Sequence, residues 1–310
     1  MALRHLISVD QLDTEVVSQL FGRIHEMRSV ARHHASQLLS GYIMASYFYE
    51  PSTRTRFSHE AAMLRLGGNV IGTENAKEFS SAAKGETLED SIRIVSGLAD
   101  IIVLRHTEEG AAKRAASVSR VPIINGGDGP GEHPTQALID LYTIYNELGT
   151  LENLTIAMVG DLKHGRTIHS LAKLLCHYKA RLILVSPQNL QIPSRIKAEL
   201  SRAGIEFEEV TDLTSAVPRA DVIYMTRIQK ERFTNLEEYE RCRGCYVLRA
   251  NMLEQAKSKM AILHPLPRID EIHTDVDSDP RAAYFRQADN GLLVRMTLLA
   301  EMLRPTLNGR

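Results

Sequence analysis

The densest group of hydrogen-bonding side chains lies at residues 49–60, YEPSTRTRFSHE. Five of them come in succession: Ser52, Thr53, Arg54, Thr55 and Arg56. They follow an apolar run that predicts a strand and open a segment with helical spacing. Hydroxyls, a guanidinium and the N–H groups of a first helical turn would then face one place, which is typical of a phosphate site. The alternative is that Ser52 caps the helix and the arginines are solvated.

A glycine-rich loop, NGGDGPGEHP (125–134), is the second candidate. Glycine lets backbone approach a ligand closely, and His133 and Gln136 follow three residues apart on one face of a predicted helix. Both side chains can donate a hydrogen bond to a carbonyl oxygen. The alternative is a flexible connector with a capping histidine. Arg105 is the last residue of the predicted strand DIIVLR, and its side chain either binds a ligand there or is a surface charge.

The second half of the chain carries cations that suit carboxylates. Arg166 opens a predicted helix, and Arg227 and Gln229 lie two residues apart, so that they point to one side of an extended backbone. Two arginine forks, Arg166 and Arg227, match a dicarboxylate, although a charged surface loop would also explain the pattern. In HPLPR (264–268) two prolines fix an irregular backbone, which frees the carbonyl of Leu266 to face a ligand or simply forms a rigid turn.

Along nearly the whole chain, apolar runs alternate with segments of helical spacing, which predicts an α/β protein with mainly parallel sheets. Strands are predicted at 43–49, 100–105, 121–125, 154–160, 181–186, 221–225 and 261–265. Helices are predicted near 54–66, 86–97, 108–119, 134–148, 166–178 and 193–203. The polar loops 75–86, 125–134 and 226–235 lie beside strands, where open α/β sheets place ligands.

Bulk properties exclude several classes. With 310 residues, 44% hydrophobic, the chain is long enough for about two domains, and its formal net charge of −1 gives no reason to expect nucleic acid. The first thirty residues mix charge throughout, and we expect no membrane segment and a cytoplasmic protein. MVGDLKHGRT (158–167) lacks the G-x-G-x-x-G spacing of a dinucleotide site. Cys242 and Cys245 form a single C-x-x-C pair, too few ligands for zinc, so we expect no metal.

Taken together, several motifs resemble the catalytic chains of the aspartate carbamoyltransferase family. They are STRTR (52–56), the loop from Ser80 to Glu86 with Lys84, Arg105, HPTQ (133–136), MVGDLKHGRT, TRIQKER (226–232), HPLPR and DPRAAYFRQADNG (279–291). The resemblance runs from about His5 to Leu303. Ornithine-using relatives share the first motif but typically carry His-Cys-Leu-Pro in the turn and lack the Arg-x-Gln-Lys-Glu loop, so both discriminators favour aspartate.

The resemblance implies two doubly wound domains, each with a mainly parallel sheet flanked by helices, joined by helices and with the active site in the cleft. Residues 1–148 would bind carbamoyl phosphate, and residues 149–290 would bind aspartate. Helix 291–310 would pack back on the first domain. The implied assembly is a homotrimer with shared active sites, in which Ser80 and Lys84 reach into the neighbouring subunit's site.

The implied reaction joins carbamoyl phosphate to L-aspartate, in pyrimidine biosynthesis, without a cofactor. The carbamoyl-phosphate residues would be Ser52, Thr53, Arg54, Thr55, Arg105, His133, Gln136, Leu266 and Pro267, and the aspartate residues Lys84, Arg166, Arg227 and Gln229. Thr55, Arg105 and His133 would stabilise the charge that grows on the carbonyl oxygen. Arg54 and Lys84 complete the expected catalytic set. The sequence leaves open whether trimers stand alone, pair with regulatory chains or join another pyrimidine enzyme.

Overall fold

The structure is a computed structural model that describes residues 3–32, 37–233 and 235–303. The chain divides into two compact units: the first comprises Met1–Leu138 and Asn290–Arg310, and the second comprises Ile139–Asp289. This division falls inside a helix, Pro134–Leu148, whereas the sequence placed the boundary after it. Among the described residues, no helix combines the length and the apolar character that crossing a bilayer requires.

The first unit is built on four parallel strands: β1 (Ile43–Phe48), β2 (Asn69–Thr73), β3 (Ile101–His106) and β4 (Ile123–Asp128). The helices along this part of the chain are α1 (Thr14–Arg32), α2 (Thr53–Arg65), α3 (Ala76–Phe79), α4 (Leu88–Val95), α5 (Ala111–Val118) and the start of α6 (Pro134–Leu148). The apolar residues that predicted strands β1, β3 and β4 are buried in the core of this unit.

The strand order in the first sheet is β2-β1-β3-β4. The chain therefore leaves β1 toward β2 on one side and returns to β3 on the other, which makes the gap between β1 and β3 a topological switch point. The two strands are in register with Phe48 opposite Arg105. Open α/β sheets bind ligands outside the carboxyl ends of the strands at such a point.

The second unit contains five parallel strands: β5 (Leu154–Val159), β6 (Ala180–Val185), β7 (Glu206–Val210), β8 (Val222–Met225) and β9 (Ala261–Leu263). Its helices are α7 (Arg166–Leu175), α8 (Ser194–Arg202), α9 (Leu213–Ala216), α10 (Leu236–Cys242) and the start of α11 (Tyr284–Leu303). The order β7-β6-β5-β8-β9 places a second switch point between β5 and β8. The predicted fold class, two parallel sheets flanked by helices, is confirmed.

Strands β2 and β7 were not among the predicted strands, and both lie at a sheet edge. Strand β2 reads NVIGT and is largely exposed, and β7 reads EFEEV. The edge strands β4 and β9 are buried along their length, whereas β2 and β7 leave side chains exposed to water and therefore lack the apolar run that marks a buried strand. The predicted C-terminal helix begins earlier than expected, at Tyr284, and its predicted residues 304–310 lie outside the described residues.

Candidate functional site

Helix α2 begins immediately after the first switch point. Ser52 occupies the N-cap position, but its side chain makes no capping hydrogen bond, so the alternative of a simple capping serine is not supported. Thr53 and Arg54 are exposed, and Thr55 is buried on the inner side of the first turn. The uncapped turn therefore presents a hydroxyl, a guanidinium and the positive end of the helix dipole to solvent.

The second arginine of the STRTR motif has a different environment. Arg56 donates from Nε to Glu60 (2.7 Å) and from Nη1 to Glu74 (2.9 Å). Glu74 also accepts from the backbone N–H of Ser52 at 3.3 Å. Because one carboxylate binds both the N-cap backbone and the arginine, Arg56 and Glu74 brace the start of α2.

Arg105, at the end of β3, is mostly buried and contacts two of its neighbours. Its Nη2 lies 2.6 Å from Glu50 Oε1, and its Nη1 donates to the carbonyl of Gly126 at 3.1 Å. A Cβ at Gly126 would lie 3.6 Å from Thr55 Cγ2. The structure thus brings Arg105, Thr55 and the strand β4 together at the switch point, and it adds Glu50, a carboxylate to which the sequence assigned no role.

The glycine-rich loop after β4 is tightly bonded, which does not support the alternative of a flexible connector. Asp128 accepts from the Asn125 side chain and from the backbone of Glu132, both at 3.0 Å. Gly129 has φ +53°, and a Cβ there would lie 2.4 Å from the carbonyl oxygen of Thr107, so only glycine fits. The loop delivers His133 to the position before α6.

His133 is buried, and Gln136 is half-buried in the first turn of α6. His133 Nδ1 lies 3.4 Å from Thr135 Oγ1, and the His133 carbonyl accepts from the backbone of Gln136 at 3.0 Å. The predicted pair therefore shares one helical turn at the carboxyl end of the first sheet.

The segment from Ser80 to Lys84 is a short 3-10 helix with its N-cap, and it lies apart from the switch point in sequence. Ser80 caps it by accepting from the Ala82 N–H at 3.1 Å, and it donates to the Ala76 carbonyl at 2.5 Å. Lys84 is exposed, as is Phe79, 75% of whose surface faces solvent. The loop is ordered by its own hydrogen bonds rather than disordered, and both Lys84 and Phe79 are exposed.

In the second unit, the loop after β5 is folded tightly and places Arg166 at the first position of α7. The buried Asp161 accepts from the His164 backbone at 2.9 Å, and His169 Nε2 lies 2.8 Å from the Leu162 carbonyl oxygen. Burial lowers the pKa of His169 to about 4, so the neutral ring donates this hydrogen bond. The α7 N-terminus also lacks a side-chain cap.

The loops after β5 and β8 touch at their bases. Gly160 has φ +117°, and a Cβ there would lie 2.2 Å from the carbonyl oxygen of Thr226, which leaves room for glycine alone. Arg166 follows the first loop, and Arg227 and Gln229, both half-buried, belong to the second. The dicarboxylate-binding candidates are thus assembled around the second switch point.

A cavity of ≈ 240 Å³ lies beside this switch point, with Thr226, Arg227 and Tyr239 in its wall. Arg166 and Gln229 do not line it. Three carboxyl groups do, from Glu240, Asp270 and Glu271, so that the cavity has mixed charge. Arg227, Lys230 and Arg243 supply the positive charge of the cavity, and among these cations Arg227 is half-buried and follows β8 most closely.

The turn after β9 carries Leu266 and Pro267, joined by a cis peptide bond. Leu266 has φ +51°, in the left-handed region that residues other than glycine seldom adopt. Within the described ranges, neither residue's carbonyl oxygen accepts a hydrogen bond. Both acceptors remain available to a ligand.

Sequence reasoning missed the groups that support these candidates: Glu50, Glu74, Asp140, Tyr224, His264, Glu271 and Gln287. A signal existed for Glu50, which lies inside the same polar stretch as Arg54. For metals, no group of three or more His, Cys, Asp or Glu side chains suited to an ion occurs in the part of the chain that the structure describes. Desolvation and the neighbouring Cys242 raise the pKa of the Cys245 thiol to about 11, although the residue is exposed.

Two family models match the chain over nearly its whole length. Residues 4–146 match the carbamoyl-phosphate-binding domain of aspartate/ornithine carbamoyltransferases, and residues 152–302 match the Asp/Orn-binding domain of the same proteins. These ranges cover both switch points described above.

Individual relatives agree with the family models. The chain is 53% identical to an Arabidopsis thaliana protein named aspartate carbamoyltransferase, chloroplastic, over 97% of this chain and 78% of that one. It is similar to the catalytic subunit of M. jannaschii aspartate transcarbamoylase, with a TM-score of 0.90, 46% identity and 99% and 100% of the two chains covered. It is also similar to Trypanosoma cruzi aspartate transcarbamoylase in complex with carbamoyl phosphate and aspartate, with a TM-score of 0.89, 40% identity and 96% of each chain covered.

Proposed function

The chain belongs to the aspartate/ornithine carbamoyltransferase family, and we propose that it transfers the carbamoyl group of carbamoyl phosphate to the amino group of L-aspartate. The products are N-carbamoyl-L-aspartate and phosphate, and the step belongs to de novo pyrimidine (UMP) biosynthesis. The observation that carries the proposal is the placement of Thr55 and Arg105 at the first switch point and of Arg227 at the second. One set suits a phosphate and the other a carboxylate.

In the first unit, the uncapped start of α2 and the guanidiniums of Arg54 and Arg105 would hold the phosphate through charge-assisted hydrogen bonds. Thr55, Arg105 and His133 would donate to the carbonyl oxygen as negative charge develops on it. One such donor is typically worth about 3 kcal/mol in the transition state.

In the second unit, Arg166, Arg227 and Gln229 would bind the two carboxylates of aspartate and direct its neutral amine to the carbonyl carbon. The amine forms a C–N bond, and the C–O bond to phosphate then breaks. The departing phosphate is a plausible acceptor for the proton that the nitrogen loses, so no protein base is required. Positioning of this kind can supply about 7–11 kcal/mol of the barrier reduction.

The test is ureido-product formation by the purified chain from carbamoyl phosphate, run in parallel with L-aspartate and L-ornithine. We expect product with aspartate alone, because HPLPR and TRIQKER differ from the ornithine-using pattern. Product with ornithine alone would keep the phosphate site and reject the acceptor assignment. No product with either amino acid would reject the proposed reaction for the isolated chain.

For the assembly, we propose a homotrimer in which Ser80 and Lys84 serve the neighbouring subunit. Support comes from the exposed apolar surface of the first unit, where Phe57 and Leu64 on α2 are each 59% exposed and Phe79 precedes the loop. Patches of this kind commonly mark contacts between chains. Light scattering during size-exclusion chromatography gives the mass, and a monomer at micromolar concentration would contradict the proposal.

Shared sites have a direct test in mixed oligomers. Lys84→Ala and Arg54→Ala subunits should each be inactive alone, because each lacks one contributor to every site. After dissociation and joint reassembly, some sites receive an intact Lys84 from one subunit and an intact Arg54 from the other. Recovered activity supports sharing, whereas mixtures as inactive as their parents would show that both residues act within one subunit.

We propose a cytoplasmic location, supported by three free cysteines, a set that fits a reducing compartment. The name of the Arabidopsis relative places that protein in the chloroplast. Imaging of a fluorescent fusion in the source cell distinguishes the two, since organellar fluorescence would contradict the proposal.

A further inference from the structure

The turn after β9 is closed by a buried histidine and a buried carboxylate to which the proposed function gives no role in substrate binding. His264 Nε2 lies 2.6 Å from Glu271 Oε1, and both side chains are almost fully buried. The other carboxylate oxygen accepts from the backbone N–H groups of Ile269 (3.1 Å) and Asp270 (3.2 Å). Glu271 therefore ties residues 264–271 into a closed segment.

The hydrogen bonds of His264 determine its protonation state. The backbone N–H of Leu266 donates to His264 Nδ1 at 2.7 Å, so Nδ1 is an acceptor and the single ring proton resides on Nε2. Burial raises the pKa of Glu271, but its interactions with His264 and with backbone N–H groups together bring the pKa below its ordinary value, so the carboxyl is ionised at neutral pH. A neutral imidazole thus bridges a carboxylate and the backbone of the turn.

That backbone needs support, because Leu266 has φ +51°. For a residue with a side chain, the left-handed conformation is unfavourable and persists where the surroundings enforce it. The hydrogen bond to His264 Nδ1 acts directly on Leu266. Rotation of this residue would redirect its carbonyl and that of Pro267, so His264 sets the direction of both acceptors.

A second set of hydrogen bonds holds the backbone of His264. Its backbone N–H donates to Gln287 Oε1 (2.8 Å), and Gln287 Nε2 donates to Asp140 (2.6 Å). Tyr224 OH donates to the other oxygen of Asp140 at 2.7 Å, and burial raises the pKa of Tyr224 well above its ordinary value, which keeps that proton in place. Tyr224 lies three residues before Arg227, so the network joins the base of the Arg227 loop to the turn.

We propose that His264 and Glu271 are positioning residues that hold the carbonyl oxygens of Leu266 and Pro267 as acceptors for the carbamoyl amino group. This inference rests on the proposed function, in which the turn binds that group. Its consequence is selectivity among acyl phosphates. Acetyl phosphate has nearly the same shape but places a methyl group where carbamoyl phosphate has two N–H donors, and it would leave both carbonyls unpaired.

The experiment compares two substitutions of one residue. In His264→Gln, the longer amide can still reach Glu271 but leaves the Leu266 N–H without its acceptor. In His264→Asn, Oδ1 can accept from the N–H two residues on, as in an Asx turn. His273→Gln is the matched control, because the half-exposed His273 accepts from the Asp275 N–H at 3.3 Å in the same local pattern, away from the turn.

The readouts are the KM for carbamoyl phosphate and the inhibition constants of acetyl phosphate and inorganic phosphate. For His264→Gln we expect the KM to rise about tenfold, as loss of one well-placed hydrogen bond would give, with both inhibition constants within about twofold of the wild type. His264→Asn should retain most of the selectivity, and His273→Gln all of it. If His264→Gln fails to fold, Glu271→Gln takes its place with the same expectation.

Parallel changes in all three constants would show a general structural role and overturn the inference, as would no change in any. Wild-type chain that makes no product with aspartate would instead overturn the proposed function, and this inference with it. Active wild type with unaltered selectivity in the variants rejects this inference alone.

Discussion

Arg105 and Glu50 form an ion pair at the first switch point, with Nη2 and Oε1 2.6 Å apart. The cation assigned to the phosphate is thus already held by a carboxylate, and an incoming phosphate must compete with it. We expect Glu50→Gln to tighten binding of inorganic phosphate by about fivefold, since a partly exposed pair is worth up to about 1 kcal/mol. Isothermal titration calorimetry measures the dissociation constant of inorganic phosphate for the wild type and the variant.

Glu108→Gln serves as the control for that measurement, because Glu108 pairs with Arg114 at an exposed position. Phosphate affinity should be unchanged there. Weaker phosphate binding in Glu50→Gln would show that Glu50 orients Arg105 for the ligand rather than competing with the ligand.

Substitutions of Arg54 and Arg227 should affect different kinetic parameters, because one residue is assigned to the phosphate and the other to aspartate. Arg54→Ala removes a group that is exposed beside the uncapped start of α2, and turnover should fall about 10²–10³-fold while the oligomer stays intact. Arg227→Ala should mainly raise the KM for aspartate, by more than about tenfold. Steady-state kinetics with each substrate varied separates the effects, and full turnover in Arg54→Ala would reject the phosphate-site assignment.

Gly160 should be needed for the contact between the loops after β5 and β8. In Gly160→Ala, the new Cβ would lie 2.2 Å from the Thr226 carbonyl oxygen, so we expect a loss of about 3 kcal/mol in the free energy of unfolding and a raised KM for aspartate. Urea unfolding measures the loss in the free energy of unfolding, and steady-state kinetics measures the KM for aspartate.

Gly204→Ala is the matched control for that substitution. Gly204 also has a positive φ, +73°, but a Cβ there meets nothing within 4 Å. The conformational cost alone should be about 1 kcal/mol, with aspartate use unchanged. Equal losses in the two variants would mean that the backbone conformation, and not the contact with Thr226, makes glycine necessary.

Stability should fall in mild acid partly because of His169. Its pKa is about 4 in the folded chain against an ordinary value of 6.5, so the unfolded chain binds the proton first as the pH falls. The contribution is complete above pH 6.5 and is lost between pH 6.5 and about 4, amounting to about 3 kcal/mol. His169→Gln should reduce this slope, measured by urea unfolding at several pH values.

His25→Gln, the same substitution at an exposed position, provides the comparison for the effect of the replacement itself. His59 is fully buried, and its pKa is lowered well below the ordinary value, so His169→Gln should remove part of the acid sensitivity and not all of it. A slope identical to the wild type would contradict the role assigned to His169.

The central strands were predictable because each is buried on both faces and therefore reads as an apolar run. Strands β2 and β7 were not predicted because, unlike the buried edge strands β4 and β9, they leave side chains exposed to water and carry no such run. Helix α1 was also not among the predicted helices. The fold class and the family were nevertheless correct, while the individual roles of the site residues stay predictions.

By itself, the sequence determined which chemical groups the chain possesses and in what local order they occur. A hydroxyl-and-arginine cluster at a strand-to-helix junction is recognisable without coordinates, because a helix N-terminus needs only consecutive residues. Tertiary structure alone decided the long-range partners. Glu50 meets Arg105 across 55 positions of sequence, and Gln287 meets Asp140 across 147, only because parallel strands and packed helices bring them together. Small shifts in that packing decide which oxygen of a carboxylate a side chain contacts. The periodicity of the sequence carries no information about such shifts.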